Sequence, residues 1–291
     1  MSKPFVHLHT HSHYSLLDGM TKIPDLVKAA KAAGMTALAL TDHGAMYGAI
    51  EFFQECKKAD IKPIVGVEAY VAARTRHDKD PDQDGRRYHL TLLAKNEVGY
   101  KNLMYMTSIA NMEGFYYKPR MDKELFASHG EGVICLSGCP ASEFITLIKN
   151  NHDDEAKELI HFYETCFGKG NVYIEVMKHE DVDWYIPLIP RIIAIAEDLG
   201  LPLVGTWDSH YLHVDDVDAH DTLVAINTGA DINTKKLTMK GGNYSFINSD
   251  EAYEVFKDIP GAYDNTSLVA NSVDLEITLG KLFFPDYKIE G

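Results

Sequence analysis

Seven short apolar, β-rich runs recur along the chain with helix-like segments between most of them. This alternation constrains the fold more than any other feature. Strands are expected at Phe5–His9, Ala37–Thr41, Ile64–Tyr70, Tyr88–Ala94, Val133–Ser137, Val172–Val176 and Leu203–Trp207. Between the first two, Ile23, Leu26, Val27 and Ala30 fall at helical spacing, with Pro24 near the start of the run and Gly34 at its end. The stretches Ala49–Ile61 and Trp184–Gly200 read the same way. Repeated strand–helix units imply a parallel sheet with right-handed crossovers. The expected fold class is therefore α/β, a distorted seven-stranded (βα)7 TIM-like barrel, one unit short of the common eight.

Two stretches depart from the alternation. Arg74–Tyr88 is polar and rich in Asp, Pro and Gly, and is expected to be a mobile surface loop. After Tyr211 the strand pattern stops, and helical patterns return around Ser249–Phe256 and Pro260–Leu275. The expected division is a metal-binding barrel over residues 1–214 and a helical C-terminal extension, 215–291, packed on it. The first residues lack the apolar stretch of a signal peptide, and no apolar run is long enough for a bilayer. Four scattered cysteines (Cys56, Cys135, Cys139, Cys166) make no disulfide framework and favour a reducing, cytoplasmic setting. A formal charge of −15 argues against a strong phosphate-gripping surface. It suits a module that holds cations or leans on another domain to hold its substrate.

Those cations have a place to go. In HLHTHSHYSLLDG (7–19), histidines occupy every second position, and successive strand residues point to opposite faces. Val6 and Leu8 then pack outward on helices while His7, His9 and His11 face the barrel interior, with His9 and His11 at the C-terminal end where barrel sites form. One inward histidine is ordinary core. Three strain that explanation, because each ring needs partners for two nitrogens. Other strand ends repeat the theme. TDHG supplies His43, GVEAY Glu68, the opening of the fourth strand His89, LSGC Cys139, and TWDSH both Asp208 and His210. Singly, Asp208 could be a helix cap, Cys139 a buried hydrophobe, His43 a turn residue and Glu68 half of an ion pair. Their coincidence at six of seven strands points instead to a multinuclear site for zinc or similar divalent ions.

The motifs HLHTHSHYSLLDG, LTDHGAMYG, GVEAYV, YHLTLLAKNEVGYKNL, LSGCPASEF and GTWDSHYL resemble those of the PHP (polymerase and histidinol phosphatase) family. More narrowly they resemble its polymerase branch, the PHP domains of bacterial DNA polymerase III alpha subunits, over essentially the whole chain. No palm carboxylates or finger domain follow, so the chain corresponds at most to the PHP portion. Its ending, LGKLFFPDYKIEG, reads as a linker cut short toward the missing palm. The resemblance implies three divalent ions, with zinc favoured and manganese the alternative. His9, His11, Glu68 and Asp208 would hold one; Glu68, His89 and Cys139 a second; Asp18, His43 and His210 the third. Catalysis would fall on Asp18, His43, Glu68, Asp208 and His210. The implied activity is metal-dependent phosphodiester hydrolysis at a DNA 3′ end, a 3′–5′ proofreading exonuclease beside the palm, thumb and fingers of its own polymerase. A histidinol-phosphatase-like phosphomonoesterase and a non-catalytic, metal-stabilised module are the competing expectations. His7 is expected to orient a ligand or fill the barrel, and His13 to face solvent. His179, His213 and His220 are read as structural, Ser12, Ser15 and Ser209 as supporting or turn residues, and Arg120 as paired with a neighbouring acid in preference to meeting substrate.

Overall fold

A computed structural model of the chain describes residues 4–230, 238–282 and 284. The expected linker at 279–291 lies largely outside these residues. The described strands are β1 Ala37–Leu40, β2 Lys62–Ala72, β3 Arg87–Ala94, β4 Phe115–Tyr116, β5 Lys118–Met121, β6 Val133–Leu136, β7 Val172–Val176 and β8 Leu203–Gly205. Hydrogen bonding runs from β1 through β2, β3, β6 and β7 to β8, with β5 attached to the far end of β2 and β4 folded back on it.

The extended segment before His11 closes the ring. On one side Ala39 N donates to His7 O (2.8 Å) and Thr41 N to Thr10 O (2.9 Å). On the other, His11 N donates to Ser209 O (2.8 Å), beside a parallel bridge between Thr10 and Ser209. Seven staves thus surround a buried interior, at the seven places the apolar runs mark. The first stave is not the continuous strand expected at Phe5–His9: its backbone is extended, but its contacts to either side are isolated.

The sheet is not all parallel, contrary to expectation. β3 runs antiparallel to both β2 and β6, while β1–β2, β6–β7 and β7–β8 are parallel. The link from β2 to β3 contains no helix, and a direct return of this kind reverses the strand. The start of β3 therefore lies beside the C-terminal end of β2, with His89 opposite Tyr70. This reversal is why His89 lies near the start of its strand, while Glu68 lies within β2 and the remaining candidate ligands lie at or beyond strand ends.

Helices α1 Ile23–Ala32, α2 Ala49–Lys58, α3 Glu97–Met112, α4 Lys123–His129, α5 Glu143–Lys149, α6 Asp153–Phe167 and α7 Ile189–Leu199 cover the barrel. Their apolar stripes, such as Ile23, Leu26, Val27 and Ala30 of α1, are buried against it. Helices α8 Val217–Thr228, α9 Ser249–Phe256 and α10 Asp264–Ser272 form the tail. The tail seals the first stave and β8. Phe5 stacks on Phe256 (5.8 Å between ring centres), Val6 N donates to Thr266 Oγ1 (3.3 Å), and Gly205 N donates to Ala262 O (2.8 Å). A Cβ on Gly205 would lie 2.9 Å from the Phe256 ring, so this close approach requires glycine.

The expected mobile loop is instead tied down. Asp84, buried, takes two hydrogen bonds from the Arg74 guanidinium (2.9 and 2.6 Å). Arg76 reaches Glu113, Asp122 and Glu124 at 2.8, 3.1 and 3.0 Å. Arg120 is fully buried and pairs with no acid among the described residues; it donates to the carbonyls of Gly114 (3.0 Å), Arg76 (3.1 Å) and Asp78 (2.8 Å). A polar composition concealed a loop folded around buried guanidinium groups.

Candidate metal centre

All nine candidate ligands meet at one mouth of the barrel. His9 and His11 arrive on the first stave, Asp18 on the turn after it, His43 after β1, Glu68 on β2, His89 on β3, Cys139 after β6, and Asp208 and His210 after β8. Glu68 is the hub. Its Oε1 lies 2.8 Å from His89 Nδ1, 3.3 Å from Cys139 Sγ and 3.4 Å from His9 Nε2. Its Oε2 lies 2.6 Å from His43 Nδ1 and 3.6 Å from His11 Nε2. Asp208 Oδ1 faces His11 Nε2 at 3.0 Å and His9 Nε2 at 3.4 Å. Asp18 Oδ1 faces His43 Nε2 at 3.2 Å and His210 Nε2 at 3.9 Å. Asp208 adopts a left-handed backbone (φ 54°), a conformation that aspartate tolerates better than most residues and that recurs at functional sites.

Seven inward atoms make no well-aligned hydrogen bond among the described residues and face only other candidate ligands at ion-pair distance: His9 Nε2, His11 Nε2, His43 Nδ1, His210 Nε2, Glu68 Oε2, Asp18 Oδ1 and Asp208 Oδ1. Buried polar atoms are seldom left this way. Meanwhile the outward nitrogen of several rings is anchored. His9 Nδ1 meets Glu175 Oε1, His11 Nδ1 meets Ser15 Oγ, and His210 Nδ1 meets the Asp208 carbonyl, each at 2.8 Å. A ring whose Nδ1–H is donated keeps a lone pair on Nε2, the form that binds a cation. Three groups, His9/His11/Asp208, His43/Glu68/His89 and His11/His43/His210, each bring ligand atoms within 4.8 Å of one another.

The electrostatics agree. Burial disfavours charge on His9, yet Asp208, Glu68 and Glu175 raise its pKa well above the ordinary value; Asp18 and Glu68 do the same for His43. Burial also opposes ionised Glu68, but His89, His43 and His9 hold it well below the usual carboxylate range. Asp18 and Asp208 are likewise lowered by neighbouring histidines, against burial. His11 is pushed down to about 3 by burial and by His43 and His210. Burial, then Glu68, raises the Cys139 thiol, so thiolate there calls for an adjacent cation. Without ions, protons on His9 and His43 must balance three crowded carboxylates. Divalent ions would replace those protons, and the imidazole, carboxylate and thiol donors fit zinc-like metals.

The remaining histidines fill other roles. His7 Nε2 donates to Ile247 O at 2.8 Å and its ring stacks on Phe246, so it packs the interior rather than orienting a ligand. His13 is half-buried against Tyr14 instead of facing solvent. His179 is buried between Trp207 and Tyr244. His213 is exposed, while His220 Nε2 meets the Asp18 carbonyl at 2.7 Å and so props up that turn. Ser12 and Ser15 are committed to buried Asp42, at 2.9 and 2.7 Å, and Ser209 faces the Tyr211 carbonyl.

Sequence reasoning missed Asp42 and Glu175. Glu175 is fully buried and accepts from Thr206 Oγ1 (2.6 Å) and Thr91 Oγ1 (3.1 Å) as well as holding His9. The available signal was a lone carboxylate inside the apolar run VYIEV, on the one strand that supplied no candidate ligand.

Comparison with known proteins places this site in context. The PHP domain profile matches residues 7–179. DNA polymerase III subunit alpha of Borreliella burgdorferi is 43% identical over 98% of this chain and 25% of its own length. The Treponema pallidum protein of that name is 42% identical over 98% and 24%. The chain thus spans about a quarter of these relatives. A solved amidohydrolase from Chromobacterium violaceum shares 17% identity at a TM-score of 0.43, over 70% of this chain and 87% of its own.

Proposed function

Because this chain belongs to the PHP domain family, we propose that it is the metal-binding module of a bacterial replicative DNA polymerase alpha subunit. In this reading it hydrolyses phosphodiesters at a DNA 3′ end as a 3′–5′ proofreading exonuclease. The rest of the subunit supplies palm, thumb and fingers, and residues 1–214 act as the barrel with 215–291 as its extension. The setting is the cytoplasm; among the described residues no helix is long and apolar enough to cross a membrane.

One observation carries the reading: seven buried ligand atoms converge on a single mouth with no well-aligned hydrogen bond, facing only other candidate ligands. His9, His11, Glu68 and Asp208 would hold one ion, Glu68, His89 and Cys139 a second, and Asp18, His43 and His210 the third. Divalent ions held together in this way supply a water of lowered pKa and positive charge for a phosphate. The chain's own residues supply placement. Glu175 and Ser15 fix the tautomers of His9 and His11, the Asp208 carbonyl fixes His210, and His220 holds the backbone of Asp18. Asp18, Glu68 and Asp208 stay ionised in the barrel because histidines surround them.

The test uses a labelled single strand and a mismatched primer end, incubated with zinc or manganese and with either wild type or Asp208→Ala. Degradation from the 3′ end by wild type alone supports the reading. Equal degradation by both proteins identifies a contaminant, and degradation by neither rejects the exonuclease.

A further inference from the structure

Arg87 opens β3 and Lys118 opens β5, and both strands bracket the same end of β2. Their cationic groups converge on one aromatic ring. Arg87 Cζ lies 5.7 Å and Lys118 Nζ 5.6 Å from the centre of the Tyr70 ring. That ring in turn stacks on His43 (5.8 Å) and meets His89 edge-on (5.3 Å), two of the candidate ligands.

Among the described residues neither cation has a carboxylate within ion-pair distance, although acidic residues outnumber basic ones 43 to 28. Both remain partly exposed. Two like charges gathered on one ring repel, and burial and Arg87 together lower the pKa of Lys118. A cation held by a ring face rather than a carboxylate keeps its N–H donors free for an anion. Beside Lys118 stands Tyr117, 67% exposed and in a left-handed conformation (φ 61°). Such a conformation is costly for an aromatic residue, and it presents at the tip of the β4–β5 hairpin a ring that leans on Tyr116 (4.6 Å between centres) and is otherwise exposed.

We propose that Arg87 and Lys118 form a phosphate-binding rim beside the metal centre, gripping the backbone of a single-stranded nucleic acid while a base stacks on Tyr117. Cations tracking the backbone and an aromatic platform for bases are the usual elements of single-strand recognition. The proposal rests on the phosphodiesterase reading and narrows its substrate to single strands.

The experiment measures anisotropy of a short fluorescent phosphorothioate oligothymidylate with the zinc-loaded full chain across a salt series. Two neutralised phosphates correspond to a slope of log affinity on log salt of about −1.4, and Arg87→Met or Lys118→Met should each remove about 0.7 of it. Arg87→Lys should restore the slope. Tyr117→Ala should weaken binding roughly five- to tenfold with the slope unchanged, because stacking releases no counterions. Lys31→Met, on α1, is the control and should match wild type. Failure of wild type to bind, or wild-type affinity and slope in the Arg87→Met/Lys118→Met double variant, overturns the rim. Hydrolysis of bis(p-nitrophenyl) phosphate by wild type is scored separately. Hydrolysis without salt-sensitive binding sinks the rim alone; binding through these residues without hydrolysis sinks the phosphodiesterase and leaves the rim.

Discussion

Replacing Glu175 tests whether the centre depends on a residue that touches none of the proposed ions. In Glu175→Ala, three buried donors lose their acceptor: His9 Nδ1 at 2.8 Å, Thr206 Oγ1 at 2.6 Å and Thr91 Oγ1 at 3.1 Å. At about 1–1.5 kcal/mol for each bond, the loss is about 3–5 kcal/mol. For a chain of this size that lowers the melting temperature by roughly 5–8 °C. Glu175→Gln keeps an acceptor for His9 and Thr206 but removes the charge, so it should fold with a much smaller loss. Glu175→Ala frees the His9 tautomer, whereas Glu175→Gln keeps it but removes the charge that makes the ring a stronger donor, and losses of this kind weaken metal binding by about 10–100-fold. Thermal melts measure the first effect, and titration against a chelator of known affinity measures the second. Glu175→Gln with wild-type metal affinity would refute the role assigned to Glu175. Glu175→Ala with an unchanged melt would refute the hydrogen-bond accounting.

Three further outcomes follow from the same geometry. In metal-stripped protein burial opposes charge on His9 and His43, but the surrounding carboxylates win and raise both pKa values. The stability these rings contribute is complete below about pH 6.5 and is lost as pH climbs through their raised values. Bound ions compete with those protons, so the melting-temperature gap between loaded and stripped protein should widen as pH rises above about 6.5; a constant gap contradicts this. Cys139→Ala should lose zinc in preference to manganese and keep intermediate activity, measured by metal content and rate, because the thiolate donor favours zinc. Arg120→Met strands the carbonyls of Gly114, Arg76 and Asp78 and should cost about 3 kcal/mol. Limited proteolysis should then cut within 74–88, and resistance equal to wild type would show that the loop is held by other contacts.

The seven staves and their order were legible because each is a short apolar run bounded by turn residues. Strand direction was not. An apolar run looks the same whichever way it is laid in a sheet, so the reversal of β3 escaped a reading based on alternation. Two clues were present: no helical pattern separates β2 from β3, and His89 sits at the start of its run where the other ligands sit at ends. The β4–β5 hairpin was missed because its strands are too short to show periodicity. Eight of the nine candidate ligands were legible because their residue types are unusual in or just after strands, whereas Asp18, on a turn, followed only from the family resemblance. Their supports were not, since a serine holding a histidine or an arginine capping three carbonyls is identified only by what the fold brings to it. Glu175 lies between these cases: its type was conspicuous, but its partners come from three other strand regions.

The central claim, that the crowded mouth is a multinuclear metal centre, is tested most directly by elemental analysis of the full chain. Protein purified without chelator, and stripped protein reconstituted with zinc or manganese, should carry more than one and up to three ions per chain, with fewer in Asp208→Ala. A folded chain that remains metal-free after reconstitution with either metal would contradict the claim.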